Sequence, residues 1–325
     1  MTEAPQLSNS EPQKTFPLKR YYVCYLDILG VRDRLFKDIE CLGFDSKAIS
    51  PLREQKQKAI DDVSSQINGL FDALAGLFQN FKERADVVYD ESAELLTQMK
   101  YNHSELLPPK EEFIRQARKI EFGIQQFSDS TLLYIPIDEG LENIVDEVVA
   151  SWMGELSRWI LVGMSRGFMF RGAIAMGWGW EIRENCLTGP VVHEAYKLES
   201  EISKYPRVIF SRAVVDRFNY RRAYAESLGV DMSKIPTFLR LLRCDVDGVY
   251  MLDYLSELAR EIWVTGETMN RELARQIYDT IFAAVGKMYL DFKERGDAKL
   301  AERYWRLISY IYDKKEVWVE EPKDK

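Results

Sequence analysis

The chain has 325 residues, 46% hydrophobic and 30% charged, enough for one large domain or two ordinary ones with a sizeable core. Its net charge of -8 argues against non-specific binding to nucleic acid or to anionic membranes, both of which need a basic field. Four widely spaced cysteines (Cys24, Cys41, Cys186, Cys244) form no CxxC pair and no zinc spacing, so free thiols in a reducing cytoplasm are expected.

Residues 1–18 are polar and lack the apolar core of a secretory signal, and they are expected to form a flexible N-terminus. No apolar run approaches the roughly 20 residues of a membrane span, so a cytoplasmic protein without a membrane partner is expected. The next stretch, YYVCYLDILGVRDRLF (21–36), reads as a buried strand interrupted by an acid: Asp27 stands between Leu26 and Ile28, and Gly30 allows a turn into a short helix over 31–40. A long amphipathic helix follows, with Ile60, Val63, Ile67, Leu70, Phe71, Leu74, Leu77, Phe78 and Phe81 at spacings of three and four. Residues 82–118 are charged and mostly helical, with too few apolar residues for a core of their own, and read as an insertion.

At IEFGIQQFSDSTLLYIPI (120–137) the period changes to two short strands around a tight turn at Ser128, Asp129 and Ser130. Helical spacing returns over 141–166. FMFRGAIAMGWGWEI (168–182) reads as a glycine-rich strand turning near Gly177, Trp178 and Gly179. LTGPVVHEAYKLESEIS (187–203) becomes helical after Gly-Pro, and RVIFS (207–211) is a further strand. Strands at 239–244 and 249–254 flank a Val-Asp-Gly turn, and helices near 268–294 and 297–313 close the chain. The order predicts an α+β fold of the ferredoxin-like split β-α-β kind, with helices covering one face of the sheet. One domain is expected: a core over 19–215, a strand and helix extension over 216–318 and a flexible tail over 319–325.

Asp27 and Asp129 occupy comparable places, and in a split β-α-β sheet the first strand and the hairpin lie side by side. Each acid has an ordinary explanation alone, Asp27 as a helix cap and Asp129 as a turn residue. Together, two carboxylates brought close repel, and burying them unpaired costs several kcal/mol. A divalent cation removes that cost, and a pair of such ions is common apparatus for attack at phosphorus. The backbone amides of Ile28, Leu29, Gly30 and Val31 run from strand into helix and can point at phosphate oxygens without a lysine. Neither a Rossmann glycine motif nor a Walker A lysine is present.

Three segments, YLDILGVRDR, IQQFSDSTLLY and FRGAIAMGWGWEIRENCLTGPVVHEAYKLE, resemble the class III nucleotidyl cyclases over roughly residues 20–215. The matching positions in order are Asp27, Asp129, Arg171 with Gly172 and Gly177, and Gly189. The resemblance implies a homodimer with active sites at the interface. It implies two Mg²⁺ or Mn²⁺ ions per site held by Asp27, Asp129 and the Ile28 carbonyl, and it includes Arg171 among the catalytic residues. Where the family carries Asn and Arg on the late helix, this chain has His193 and Lys197, which share one helical face. Lys197 can still supply positive charge at phosphorus, though as a point charge, and His193 can orient a ribose. Equally, Lys197 can simply pair with Glu201 while His193 packs.

In the positions that select the purine in adenylate cyclases, the chain has Gln125 and Cys186. Neither reproduces the adenine contacts, whereas an amide suits the edge of uracil or cytosine. Within the family the chain resembles the pyrimidine cyclases of the bacterial Pycsar anti-phage systems, through LDILG, FSDS, the Arg-Gly strand and the GP…AY.LE helix. That implies cyclic UMP made from UTP, or cyclic CMP from CTP, sensed by a separate effector. Two rival readings are a diguanylate-cyclase type, whose glycine-rich turn is absent, and a catalytically silent dimeric sensor or scaffold on the same fold. The tryptophans and the 60–81 stripe read as core, His103 lies in a charged segment, and Arg32 and Arg34 are candidates for the triphosphate only if their helix faces it.

Overall fold

The computed structural model describes residues 17–29, 108–127, 129–227, 238–264 and 271–319, with isolated helical residues between 61 and 93. The chain runs β1 (Lys19–Leu29), α1 (Lys110–Ala117), β2 (Gly123–Phe127), β3 (Ser130–Ile137), α2 (Glu142–Ser165), β4 (Met169–Arg183), β5 (Cys186–Thr188) and α3 (Pro190–Lys197). A π-helical turn (Leu198–Ile202) leads to β6 (Val208–Phe210) and α4 (Arg212–Ser227). After a 3-10 turn (Phe238–Leu241) come β7 (Leu242–Cys244), β8 (Tyr250–Leu252), α5 (Glu257–Val264), α6 (Arg271–Glu294), α7 (Ala298–Asp313) and α8 (Lys315–Trp318).

The strands form one sheet in the order β2-β3-β1-β4-β6-β8-β7, with β5 paired to β4. Among the described residues only β4 and β6 run parallel; every other pairing there is antiparallel. The α+β class expected from the order of elements is therefore observed. Among the described residues no helix is long and apolar enough to cross a membrane.

Alternation along β1 sorts its side chains onto two faces. Tyr22, Cys24, Leu26 and Ile28 enter the main core, where α2 contributes Val145, Val148, Val149, Met153 and Leu156. Helix α2 is apolar almost all round because it is sandwiched: the sheet lies on one side, and Ile281 and Val285 of α6 belong to the same core. Tyr21 and Val23 point the other way, into a smaller core with Leu132, Tyr134, Ala175, Leu187 and the α3 residues Val191 and Ala195. Asp27 continues that second series.

Four differences from the sequence reading have clear causes. The strand over 168–182 does not turn at Gly177 and Gly179: β4 continues to Arg183, and both glycines pair with β1, opposite Tyr21 and Lys19. They are glycines because α3 lies almost on the strand. A Cβ at Gly179 would stand 3.0 Å from the Thr188 carbonyl oxygen and 3.1 Å from Val191 Cγ1. The helix expected across 187–203 is split into β5, α3 and the π-helical turn. Helix α4, not singled out in the sequence, begins after Ser211, whose hydroxyl accepts from the Val214 amide at 3.3 Å. Finally, Ala85, Tyr89, Phe113 and Ala117 from the supposed insertion are buried in the main core, with the Tyr89 and Phe113 rings 5.3 Å apart. Of the helix expected over 60–81, Asp61, Ser65, Gln66, Asn68, Gly69, Asp72, Ala73 and Gly76 are helical. Its apolar stripe, the helix expected over 31–40, and the arginines Arg32 and Arg34 lie outside the described residues, as does His103.

Candidate functional site

β1 is flanked by β3 and β4, and the register sets Asp27 opposite Ser130 on one side and Arg171 on the other. Phe127 lies opposite Ser130 from β2, so Phe127, Ser130, Asp27 and Arg171 form one row across four strands. This row exists because Gly172, next to Arg171, has no side chain: a Cβ there would stand 2.5 Å from the Tyr25 carbonyl oxygen. The hairpin is tied to β1 directly, since the Ile28 amide donates to the Asp129 carbonyl at 3.1 Å. The strand terminus and the distant turn are thus joined as the sequence suggested.

The Asp27 carboxylate, 19% exposed, receives the Ser130 hydroxyl on Oδ1 at 2.9 Å and faces Arg171 Nη2 from Oδ2 at 3.4 Å. Both oxygens are therefore engaged by neighbouring strands. Burial holds the Asp27 carboxyl above the ordinary range; Ser130 and Arg171 pull it back, and the negative charge of Asp129 raises it again. That last effect places the two acids within electrostatic reach of each other.

A third acid, absent from the sequence reading, completes the cluster. Glu199, in the π-helical turn, is 3% exposed and accepts from Arg171 Nε. Burial raises its carboxyl as well; Arg171 lowers it and Asp27 raises it. The signal for Glu199 was present in the spacing. Val191, Ala195 and Glu199 fall four apart, and the first two are the buried residues of α3, so the acid continues an apolar stripe just as Asp27 does.

The other expected residues divide. His193 and Lys197 lie on the exposed side of α3; neither side chain hydrogen-bonds or ion-pairs within the described residues, so the expected alternative of a Lys197–Glu201 pair is not formed. Gln125 and Cys186 come together: Gln125 Nε2 lies 3.7 Å from Cys186 Sγ, while Gln125 Oε1 is shielded from solvent and accepts from no group among the described residues. They sit on the same face as Asp27, since Gln125 pairs with Leu132, which pairs with Tyr25. Beside them Tyr134 donates to Glu181, and burial together with that bond pushes its hydroxyl far up; burial also pushes Tyr21 up to about 12. Ile28 and Leu29 close β1, whereas Gly30 and Val31 lie outside the described residues.

Among the described residues no group of three or more His, Cys, Asp or Glu side chains is arranged around one metal position. The donor set nonetheless suits a small hard cation. Mg²⁺ and Mn²⁺ favour oxygen, and Mg²⁺ is usually held by one or two carboxylates together with waters and substrate phosphates, without an all-protein cage. Asp27, Asp129 and the Ile28 carbonyl are the oxygen donors that would hold such an ion. A shallow groove of about 420 Å³ between α6 and α7, lined by Tyr289, Lys293, Glu302 and Trp305, is built from other elements and shares no residue with this cluster.

No protein-family model matches the chain, and no curated protein is significantly similar to it.

Proposed function

We propose that the chain is a nucleotidyl cyclase that converts UTP to 3′,5′-cyclic UMP and diphosphate, working as a homodimer. The observation that carries this reading is the register of β1, which joins Asp27 to the Asp129 turn in a partly buried cluster that, among the described residues, has two more acids than bases. The order β2-β3-β1-β4, each strand antiparallel to its neighbour, supports a ferredoxin-like split β-α-β core of the cyclase type.

In the proposed reaction the ribose 3′-oxygen passes its proton to water and attacks the α-phosphorus. A 3′-O–P bond forms, the bond from that phosphorus to the bridging oxygen breaks, and diphosphate leaves. Asp27 and Asp129 would hold Mn²⁺ or Mg²⁺, which would supply Lewis-acid stabilisation of the alkoxide and of the leaving group. Arg171 balances part of the acidic charge around Asp27. Lys197 and His193, pointing outward from α3, are available to the active site of a second protomer, where a positive charge and a ribose contact are needed. Gln125 is the base reader: its unsatisfied carbonyl oxygen accepts an N–H from the pyrimidine edge once the amide turns away from Cys186. Strand spacing puts Gln125 on the order of 12 Å from Asp27 along the sheet, which leaves room for a ribose between base and phosphate sites.

Incubation of the purified protein with Mn²⁺ and each of the four ribonucleoside triphosphates, followed by mass spectrometry, tests the proposal. Cyclic UMP with diphosphate is the expected product. Cyclic CMP alone would move the assignment to CTP, a purine product would remove the role given to Gln125, and no product from any of the four would favour a silent sensor on the same fold. A cyclic pyrimidine nucleotide would act as a messenger for a separate effector in anti-phage defence.

A further inference from the structure

The closing helices carry an apolar face of their own. α6 and α7 pack side by side across the turn at 295–297, with the Tyr289 and Trp305 rings 5.6 Å apart and those of Phe292 and Tyr304 5.1 Å apart. Tyr278, Ile281 and Val285 of α6 and Tyr304, Leu307 and Ile311 of α7 are buried. The adjoining side of each helix is apolar as well but uncovered: Phe282, Leu290, Trp305 and Tyr312 are between 37% and 62% exposed. Phe282, Gly286 and Leu290 fall four apart on α6, and Trp305 and Tyr312 fall seven apart on α7, so each set forms one stripe along its helix. The groove of about 420 Å³ lies between the stripes.

Two observations say what fits there. Glycine inside a helix destabilises it relative to alanine, yet Gly286 has no positive φ and a Cβ on it would meet nothing within 4 Å. Its missing side chain serves no contact within the chain, whereas it lets another helix approach the α6 backbone. The walls of the groove also differ in charge. Lys293 of α6 and Glu302 of α7 both line it without pairing with each other: the Lys293 ammonium lies 5.8 Å from the centre of the Tyr289 ring, and Glu302 accepts from Arg306 of its own helix at 3.0 Å. The same surface turned through half a revolution sets α6 of one copy against α7 of the other. Lys293 of each copy then faces Glu302 of the opposite copy, twice over.

We propose that a second copy of this chain seats on the groove between α6 and α7, forming a four-helix contact about a two-fold axis. Taking about 200 Å² for a full side chain of this size, the four exposed residues offer about 400 Å² of the roughly 800 Å² that each partner buries in a stable interface. The polar rim supplies the remainder. α6 shares its core with α2, on the face of the sheet opposite α3. The contact is therefore separate from the α3 surface assigned above to a shared active site, and it holds whether or not the chain is a cyclase.

Sedimentation velocity of the purified full chain over a dilution series tests this. The wild type is expected to associate, and Trp305→Glu to halve the mass of its assembly. Lys293→Glu and Glu302→Lys are each expected to weaken association at least about tenfold, since each sets like charges together at both ends of the contact. An equimolar mixture of these two variants is expected to regain it, because every acid then meets a lysine; only a contact between copies gives that rescue. Should Trp305→Glu fail to fold by circular dichroism, Gly286→Ala decides, having room for its methyl group in the single chain: weaker association supports the contact, and unchanged association overturns it. A mixture that associates no better than its separate components overturns the contact. An assembly untouched by Trp305→Glu overturns this contact alone, whereas a monomeric wild type overturns it together with the homodimer of the cyclase reading.

Discussion

Replacing Asp27 by Asn separates the two explanations of that acid, because they predict opposite changes in stability. The carboxylate is 19% exposed, with one hydroxyl at 2.9 Å and a guanidinium only at 3.4 Å, and burial outweighs both in setting its proton affinity. Its pKa in the folded state is therefore above that of the unfolded chain. The stability contributed by such a group is fully present below the unfolded pKa and is lost as pH rises through the folded pKa. Asn keeps the shape and the neutral state at every pH, and its carbonyl still accepts from Ser130. At neutral pH the variant is therefore expected to be more stable than the wild type and to melt at a higher temperature. Differential scanning fluorimetry between pH 4 and pH 8 reads it directly: the two melting temperatures should coincide at the acid end and separate as the pH rises. Mn²⁺ should raise the wild-type value and leave the variant unmoved. A variant that melts several degrees below the wild type at neutral pH would refute the reasoning, because Arg171 and Ser130 would then outweigh burial and Asp27 would be a structural ion-pair partner.

Gly189→Ala is expected to cost about 2 kcal/mol or more, measured by urea denaturation, because φ is +118° and the new Cβ would stand 2.9 Å from Gly179 Cα. Gly140→Ala is the control: φ is +80° but nothing lies within 4 Å, so only the backbone penalty of about 1 kcal/mol remains. Tyr22→Phe removes a hydroxyl that donates to buried Asp146 at 2.6 Å, and a loss of about 2 kcal/mol in the same assay is expected.

Sequence periodicity made β1, the hairpin, α2 and the closing helices legible, because each buries one stripe against a neighbour. It failed where one residue type has two physical meanings. Glycine in a strand can signal a turn or a close approach, and at Gly177 and Gly179 only the packing of Val191 from α3 decides which. Asp27 stood out because an acid inside an apolar alternation needs a reason, whereas Asp129, in a polar turn, was singled out only by the hairpin's expected place beside β1. Glu199 has the same kind of reason at helical spacing, but it sits in KLESEIS beside one exposed acid, Glu201, and an exposed lysine. The π-helical turn that buries it leaves no mark in residue type.

An acid on an apolar stripe is not by itself a functional residue, and this fold contains the counterexamples. Asp146 is buried on α2, yet Arg217 reaches it at 2.6 Å and Arg221 at 3.5 Å. Asp253 meets Lys314 and the Tyr310 hydroxyl. Asp245 and Asp247 share Arg207, but Asp247 is 31% exposed and part of its charge is answered by water. In each case the charge is matched or hydrated, and the group ties elements together. Around Asp27, among the described residues, one guanidinium is shared between half-buried Asp27 and buried Glu199 while Asp129 lies within electrostatic reach. A fold tolerates such a deficit only at a cost in stability, and a bound cation is the simplest agent that reverses it. The deficit in charge, more than the presence of the acids, distinguishes the cluster at Asp27 from the staples elsewhere in the protein.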